Sequence, residues 1–190
     1  SAALASRGVT ANSISIAGMT SGVLAGLALA ATAQPGWQTT AFIAGAVLVQ
    51  LRLLANMLDG MVAVGTNAAS PIGELYNEIP DRVSDVATLM GAGFAAGGNP
   101  MAGAIAACVA VFVAYIRAEG KVAGAHQEFC GPMAKPQRMF LVTAGSLASV
   151  IAPASWAIMA WTLTAIIAGG IWTAIRRISK IASALRSPTR

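Results

Sequence analysis

The sequence predicts an all-α, polytopic membrane protein with six transmembrane helices and both termini in the cytoplasm, and three observations predict it. The chain is 56% hydrophobic and only 10% charged, with a mean hydropathy of +0.70, whereas soluble domains carry about 25% charged residues. Apolar windows recur at close to the roughly 20 residues that cross a bilayer core of about 30 Å. The basic residues keep to alternate connections, as Lys and Arg do in loops retained in the cytoplasm. Other classes fall away. Two lone cysteines, Cys108 and Cys130, make no disulfide scaffold, and the apolar content excludes a disordered chain. A net charge of +5, scattered along apolar segments, does not track a nucleic-acid backbone.

The windows fall at about 13–32, 37–64, 71–96, 101–116, 139–151 with some of its flanks, and 154–175. Turn formers separate them: Pro35-Gly36, the stretch 65–71, Gly97-Gly98-Asn99-Pro100, the polar segment 117–138 and Pro153. Arg7, Arg117, Lys121, Lys135, Arg138, Arg176, Arg177, Lys180, Arg186 and Arg190 all lie on one predicted side, while the loops around Pro35 and Asn99 carry no charge. That side is the cytoplasm. Residues 1–178 read as one membrane domain and 179–190 as a basic cytoplasmic tail. The apolar start reads as a span rather than a cleavable leader, having no strongly basic approach. Trp37, Trp156, Trp161 and Trp172 stand near predicted span ends as interface anchors.

Acidic residues concentrate where the membrane makes them costly. Asp59, Glu74, Glu78, Asp81 and Asp85 are five of the seven in the chain, and intramembrane charges face a cavity, a partner or an ion. Asn56, Asp59 and Ala63 share one helical face, and Gly73, Asn77 and Asp81 share another. The short connection between spans two and three predicts antiparallel neighbours whose stripes converge. Amide and carboxylate oxygens suit Mg²⁺, Mn²⁺ or Ca²⁺ rather than zinc. The competing reading makes the same residues interhelical packing and polar contacts.

The run Asn56-Met57-Leu58-Asp59-Gly60-Met61-Val62-Ala63-Val64, eight further residues, Gly73, then Asn77 and Asp81 resembles the signature of the CDP-alcohol phosphatidyltransferases, D-x2-D-G-x2-A-R-x8-G-x3-D-x3-D. Gly8 to Asn12 resembles the entry segment of that family, and 114–118 and 131–138 its later basic segments. Two signature aspartates are Asn here, at 56 and 77, and the signature arginine is Val64. The resemblance implies a six-span membrane enzyme in which an alcohol attacks the β-phosphorus of CDP-diacylglycerol or a similar CDP-lipid and CMP leaves. It places Asn56, Asp59, Asn77 and Asp81 at the metal site, with Mg²⁺ or Mn²⁺ as cofactor, and Asp81 as the base taking the alcohol proton.

Gly60, Ala63, Ser70 and Gly73 are then the expected nucleotide contacts, and Arg117, Lys135 and Arg138 the expected contacts to a phosphorylated acceptor. With two carboxylates replaced by amides, one metal is expected to be held firmly and a second to arrive with substrate. Arg52 or Arg82 is expected to replace the missing arginine. The other expectations are a homodimer, membrane lipids as surroundings, no nucleic acid, and a bacterial inner membrane with the site facing the cytoplasm. His126 reads as a solvated loop residue. Two rivals remain: a catalytically altered or inactive homologue that binds CDP-lipid, and a small cation-binding transporter.

Overall fold

The computed structural model describes residues 10–65, 71–126 and 128–186, apart from the side chains of residues 63–65, 71 and 74. Six α-helices are present among them: α1 Ala11–Ala31, α2 Gln38–Gly65, α3 Pro71–Phe94, α4 Pro100–Val122, α5 Lys135–Ile151 and α6 Ile158–Arg186. A 3-10 turn, Ala154–Trp156, precedes α6. The predicted windows therefore return as helices, with two extensions. Helix α4 runs past Ile116 to Val122, and α6 runs past 175 to Arg186, so the backbone shows no break at the expected tail boundary.

Four helices, α1, α2, α4 and α6, are long and apolar enough to cross a membrane, and the chain is an integral membrane protein. Helix α3 carries the acidic cluster, and α5 has only 17 residues. Local chemistry sets the ends. Thr10 caps α1 by accepting from the Ser13 amide at 3.2 Å, and Asn99 caps α4 through the Ala102 amide at 3.0 Å with Pro100 behind it. Gly97, at φ +70, makes the turn between α3 and α4, and its carbonyl accepts from the Ala160 amide at 3.0 Å.

The helices close into a ring in the order α1, α2, α5, α6, α4, α3. Spans two and three are not the packed hairpin neighbours expected from their short connection. Helix α1 lies along both of them, and the α2 and α3 backbones stay apart, joined by side chains such as Arg52 to Asp81 and Ser84. Glycine explains the insertion. Gly18, Gly22 and Gly26 form a stripe on α1 at i, i+4 and i+8; a methyl on Gly22 would overlap Ser84, and one on Gly26 would overlap the Ala87 carbonyl. Gly91 of α3 meets the Gly26 backbone in the same way, and Gly18 faces Ala55 and Arg52 of α2. These small-residue faces are spent inside the chain.

The rest of the interior is mainly apolar, with buried hydroxyls at Thr32, Thr88, Ser146 and Ser149. Leu29, Phe42, Leu89, Met159, Leu163 and Ile166 are fully buried in one cluster. Trp37, Trp156, Trp161 and Trp172 are all exposed, on surfaces that suit lipid. Polar burial is concentrated elsewhere: Ser15, Arg52, Asp59, Asp81, Ser84, Asp85, Arg138 and Arg177 occupy the end of the ring where α2 finishes and α3 begins.

Candidate active site

Helical spacing delivers the site residues to that end. On α2, Phe42, Gly45, Val49, Arg52, Asn56 and Asp59 follow one another at three- and four-residue steps, so the stripe that begins as core ends as Arg52 and Asp59, both buried. On α3 the stripe is Asn77, Asp81, Ser84 or Asp85, and Thr88. Pro80 beside it removes an amide that would otherwise bond the Tyr76 carbonyl. A third contribution comes from residues 128–134, which dock on α6: the Met133 amide donates to Thr173 Oγ1 at 3.0 Å, and Arg177 Nε donates to the Cys130 carbonyl at 3.0 Å. Gly131, at φ +117, is pressed against Thr173 where a side chain would not fit. This docking fixes where α5 starts. Lys135 is its first residue.

A cavity of about 500 Å³ opens there. Asn56, Asn77 and Asp81 line it together with Glu78, Arg82, Arg117, Lys135, Arg138 and Arg177, so five cations face two carboxylates. Asp81 is the hub. Its Oδ1 pairs with Arg52 Nη2, and its Oδ2 lies 2.6 Å from Lys135 Nζ and 3.6 Å from Arg82 Nη2. Lys135 Nζ also donates to Asn56 Oδ1 at 2.6 Å, which Arg52 Nη2 reaches at 3.3 Å. Arg52 Nε donates to Ser84 Oγ at 2.8 Å, and Ser84 in turn donates to the Asp81 carbonyl at 3.0 Å. Burial lowers the Lys135 ammonium to about 7, with the Asp85 carboxylate opposing the fall. Direct contact with Asp81 favours the charged form in the same sense as Asp85.

The expected metal residues do not all come together. Asp59 is not part of the cavity lining; it is buried, and its Oδ2 accepts from Ser15 Oγ at 2.7 Å. Among the described residues, no three His, Cys, Asp or Glu side chains are grouped as a metal would need. Two oxygens are nonetheless available, since Asp59 Oδ1 and Asn77 Oδ1 are buried without a hydrogen-bond partner. A buried carboxylate oxygen and a buried amide oxygen, unpartnered among the described residues, are donors of the type a hard divalent cation takes. Asn56 and Asp81, by contrast, already face Lys135 and Arg52.

Of the expected nucleotide contacts, Gly60 is exposed on α2 with open space beside it, and Gly73 is partly exposed on α3. Ala63 lies on α2, but its side chain is outside the described residues, as is Ser70 altogether. Of the expected acceptor contacts, Arg117 lines the cavity, pairs with Glu78 and stands 5.2 Å over the Phe129 ring. Arg138 is differently employed: it is buried, and Nη2 donates to Asp85 Oδ2 at 2.8 Å while Nη1 donates to the Met133 carbonyl at 3.3 Å. A guanidinium anchored to a buried carboxylate is a structural tie. Arg82, not Arg52, is the cavity-lining candidate for the missing arginine. His126 is exposed, as expected.

Ser15 and Arg177 were not singled out for the site by sequence reasoning, whereas Glu78 belongs to the acidic cluster that was. The first two continue buried stripes that are visible in the sequence, Ser15-Gly18-Gly22-Gly26 and Gly170-Thr173-Arg177-Ile181.

The chain is 27% identical over 175 residues to the inner membrane protein YnbA of Escherichia coli, covering 91% of this chain and 84% of that protein. It is 32% identical over 167 residues to the archaetidylinositol phosphate synthase of Aeropyrum pernix, covering 86% and 82%. Among solved structures, the phosphatidylinositol phosphate synthase of Mycobacterium tuberculosis with CDP-DAG bound superposes with a TM-score of 0.79 at 22% identity, over 99% of this chain and 94% of that one. Its complex with manganese and citrate gives a TM-score of 0.80, over 99% and 90% at the same identity. No protein-family profile matches the chain.

Proposed function

The chain belongs to the CDP-alcohol phosphatidyltransferase family, and from that membership we propose that it moves a phosphatidyl or other substituted phosphate group from a CDP-linked lipid to an alcohol, releasing CMP. One observation carries the reading: the signature residues Asn56, Asn77 and Asp81 meet five cations from α3 to α6 in a single cavity. A CDP-lipid brings a diphosphate, and a cavity of net positive charge receives it. The manganese complex and the CDP-DAG complex of the mycobacterial enzyme support the same substrate class and a divalent metal.

In this reading Arg82 faces the diphosphate, and Gly60 and Gly73 allow it to approach α2 and α3 closely. Arg117 and Lys135 face a phosphorylated acceptor, while Arg138 holds α3 to α5 through Asp85. Asp81 takes the hydroxyl proton, which requires Lys135 to yield Oδ2 as the alcohol arrives. Asp59 and Asn77 would hold a Mg²⁺ or Mn²⁺ ion, which when bound offsets charge developing on the CMP leaving group. Six spans, cytoplasmic termini, a homodimer and a site at the inner face of a bacterial inner membrane complete the proposal. The Escherichia coli relative's inner-membrane location supports the last.

The test is CMP release by the purified protein from CDP-diacylglycerol, with Mg²⁺ or Mn²⁺, across free and phosphorylated alcohols. Asp81→Asn is expected to lower turnover by about 10²- to 10⁴-fold, the usual worth of a general base. No CMP with any acceptor would overturn the transferase reading. One observation favours a second reading, a CDP-lipid binder without turnover: both Asn56 and Asp81 are engaged by cations of the chain itself. CDP-lipid binding without product would establish it. The transporter reading loses support because the interior beyond the cavity is mainly the apolar cluster of Leu29, Phe42, Leu89 and Ile166, broken only by hydroxyls such as Thr88 and Ser146 among the described residues.

A further inference from the structure

Lys135 stands where two signature positions on different helices converge. Its Nζ lies 2.6 Å from Asn56 Oδ1 on α2 and 2.6 Å from Asp81 Oδ2 on α3, and it is the first residue of a helix whose approach is pinned to Thr173 and Arg177. We propose that the Lys135 ammonium stands in for one divalent cation of the motif, bridging Asn56 and Asp81 and keeping a metal ion from that position. The inference rests on the transferase reading for the motif's identity, but not on turnover.

Charge explains the exchange. A dication between the two helices needs carboxylates to offset it, and position 56 supplies only a neutral amide oxygen. Arg52 already pairs with the other Asp81 oxygen and Arg82 Nη2 stands 3.6 Å from Oδ2, so a dication beside Asp81 would face two positive groups at short range. A monovalent ammonium asks less of the amide, and its three donors fit the two oxygens. The oxygens left without a partner among the described residues, Asp59 Oδ1 and Asn77 Oδ1, belong to the other half of the motif. A substitution that removes charge at 56 therefore coincides with a lysine aimed at the same atom.

The experiment counts metal rather than product. Mn²⁺ is titrated into the full-length protein in detergent, free of nucleotide, and bound ion per chain is read by electron paramagnetic resonance. The variants are Asn56→Asp, Asn56→Asp with Lys135→Met, and Asn56→Asp with Lys135→Gln, each first required to elute as a single species. Both double variants are expected to bind one more Mn²⁺ per chain than the wild type, with the broadened signal of two neighbouring ions. Asn56→Asp alone is expected to gain less, because Lys135 still occupies the position. An unchanged count in both double variants, or a wild type that already holds two Mn²⁺, would overturn the inference. Absence of CMP release, with the metal gain intact, would instead count against the transferase reading alone.

Discussion

The carboxylate of Asp85 on α3 and the guanidinium of Arg138 on α5 meet at 2.8 Å with both side chains almost wholly buried. Removing one partner strands the other charge, and breaking such a pair costs about 3–5 kcal/mol. Asp85→Asn is therefore expected to lower the thermal midpoint clearly in detergent. Asp85→Leu with Arg138→Met is expected to recover much of the loss, because neither charge is then left behind. A double variant as unstable as the single one would place the pair's value in something other than compensation.

The contact between Gly26 and Gly91 predicts a sharp size limit. A side chain at 91 meets the Gly26 backbone itself, which cannot rotate away. Gly91→Val is expected to cost at least the roughly 1–3 kcal/mol typical of overpacking, and to abolish a monodisperse peak on size exclusion. Gly60 supplies the contrast.

Among the described residues nothing crowds Gly60, so Gly60→Ala is expected to leave the thermal midpoint at or slightly above that of the wild type. If the nucleotide approaches this backbone, KM for the CDP-lipid rises while stability does not fall. Unchanged KM would take Gly60 out of the binding surface.

Arg82 lines the cavity and is tied only loosely, at 3.4 Å to Glu78 and 3.6 Å to Asp81. Charge-assisted hydrogen bonds are worth about 1.5–3 kcal/mol, so Arg82→Met is expected to reduce kcat/KM for the CDP-lipid by about 10- to 100-fold. Arg82→Lys should restore part of it. Arg52→Met would instead damage the fold, because Arg52 is buried against Asp81, Asn56 and Ser84.

Much of this was legible in the chain. Helix positions followed from apolar length and from Gly-Pro punctuation, because a bilayer leaves backbone few other options. The gathering of Asn56, Asn77 and Asp81 followed from three- and four-residue spacing. Asp59 departs from that expectation because Ser15, one step before the α1 glycine stripe, offers it a hydroxyl. The α1 insertion between α2 and α3 was hidden, since a short connection suggests adjacency and only glycine's missing side chain lets a third helix intervene. The roles of Lys135 and Arg138 were also hidden. Both read as cytoplasmic loop charges or contacts to a phosphorylated acceptor, and only the docking of 128–134 onto α6 turns one toward Asn56 and the other toward Asp85.

Because α1 is wedged between the helices that carry Asn56 and Asp81, those helices cannot hinge directly against each other. Any widening of the cleft to admit a lipid must slide along the seams of Gly18, Gly22 and Gly26. A helix face without side chains is thus the bearing, and stiffening it would be felt as slower entry rather than as a weaker grip.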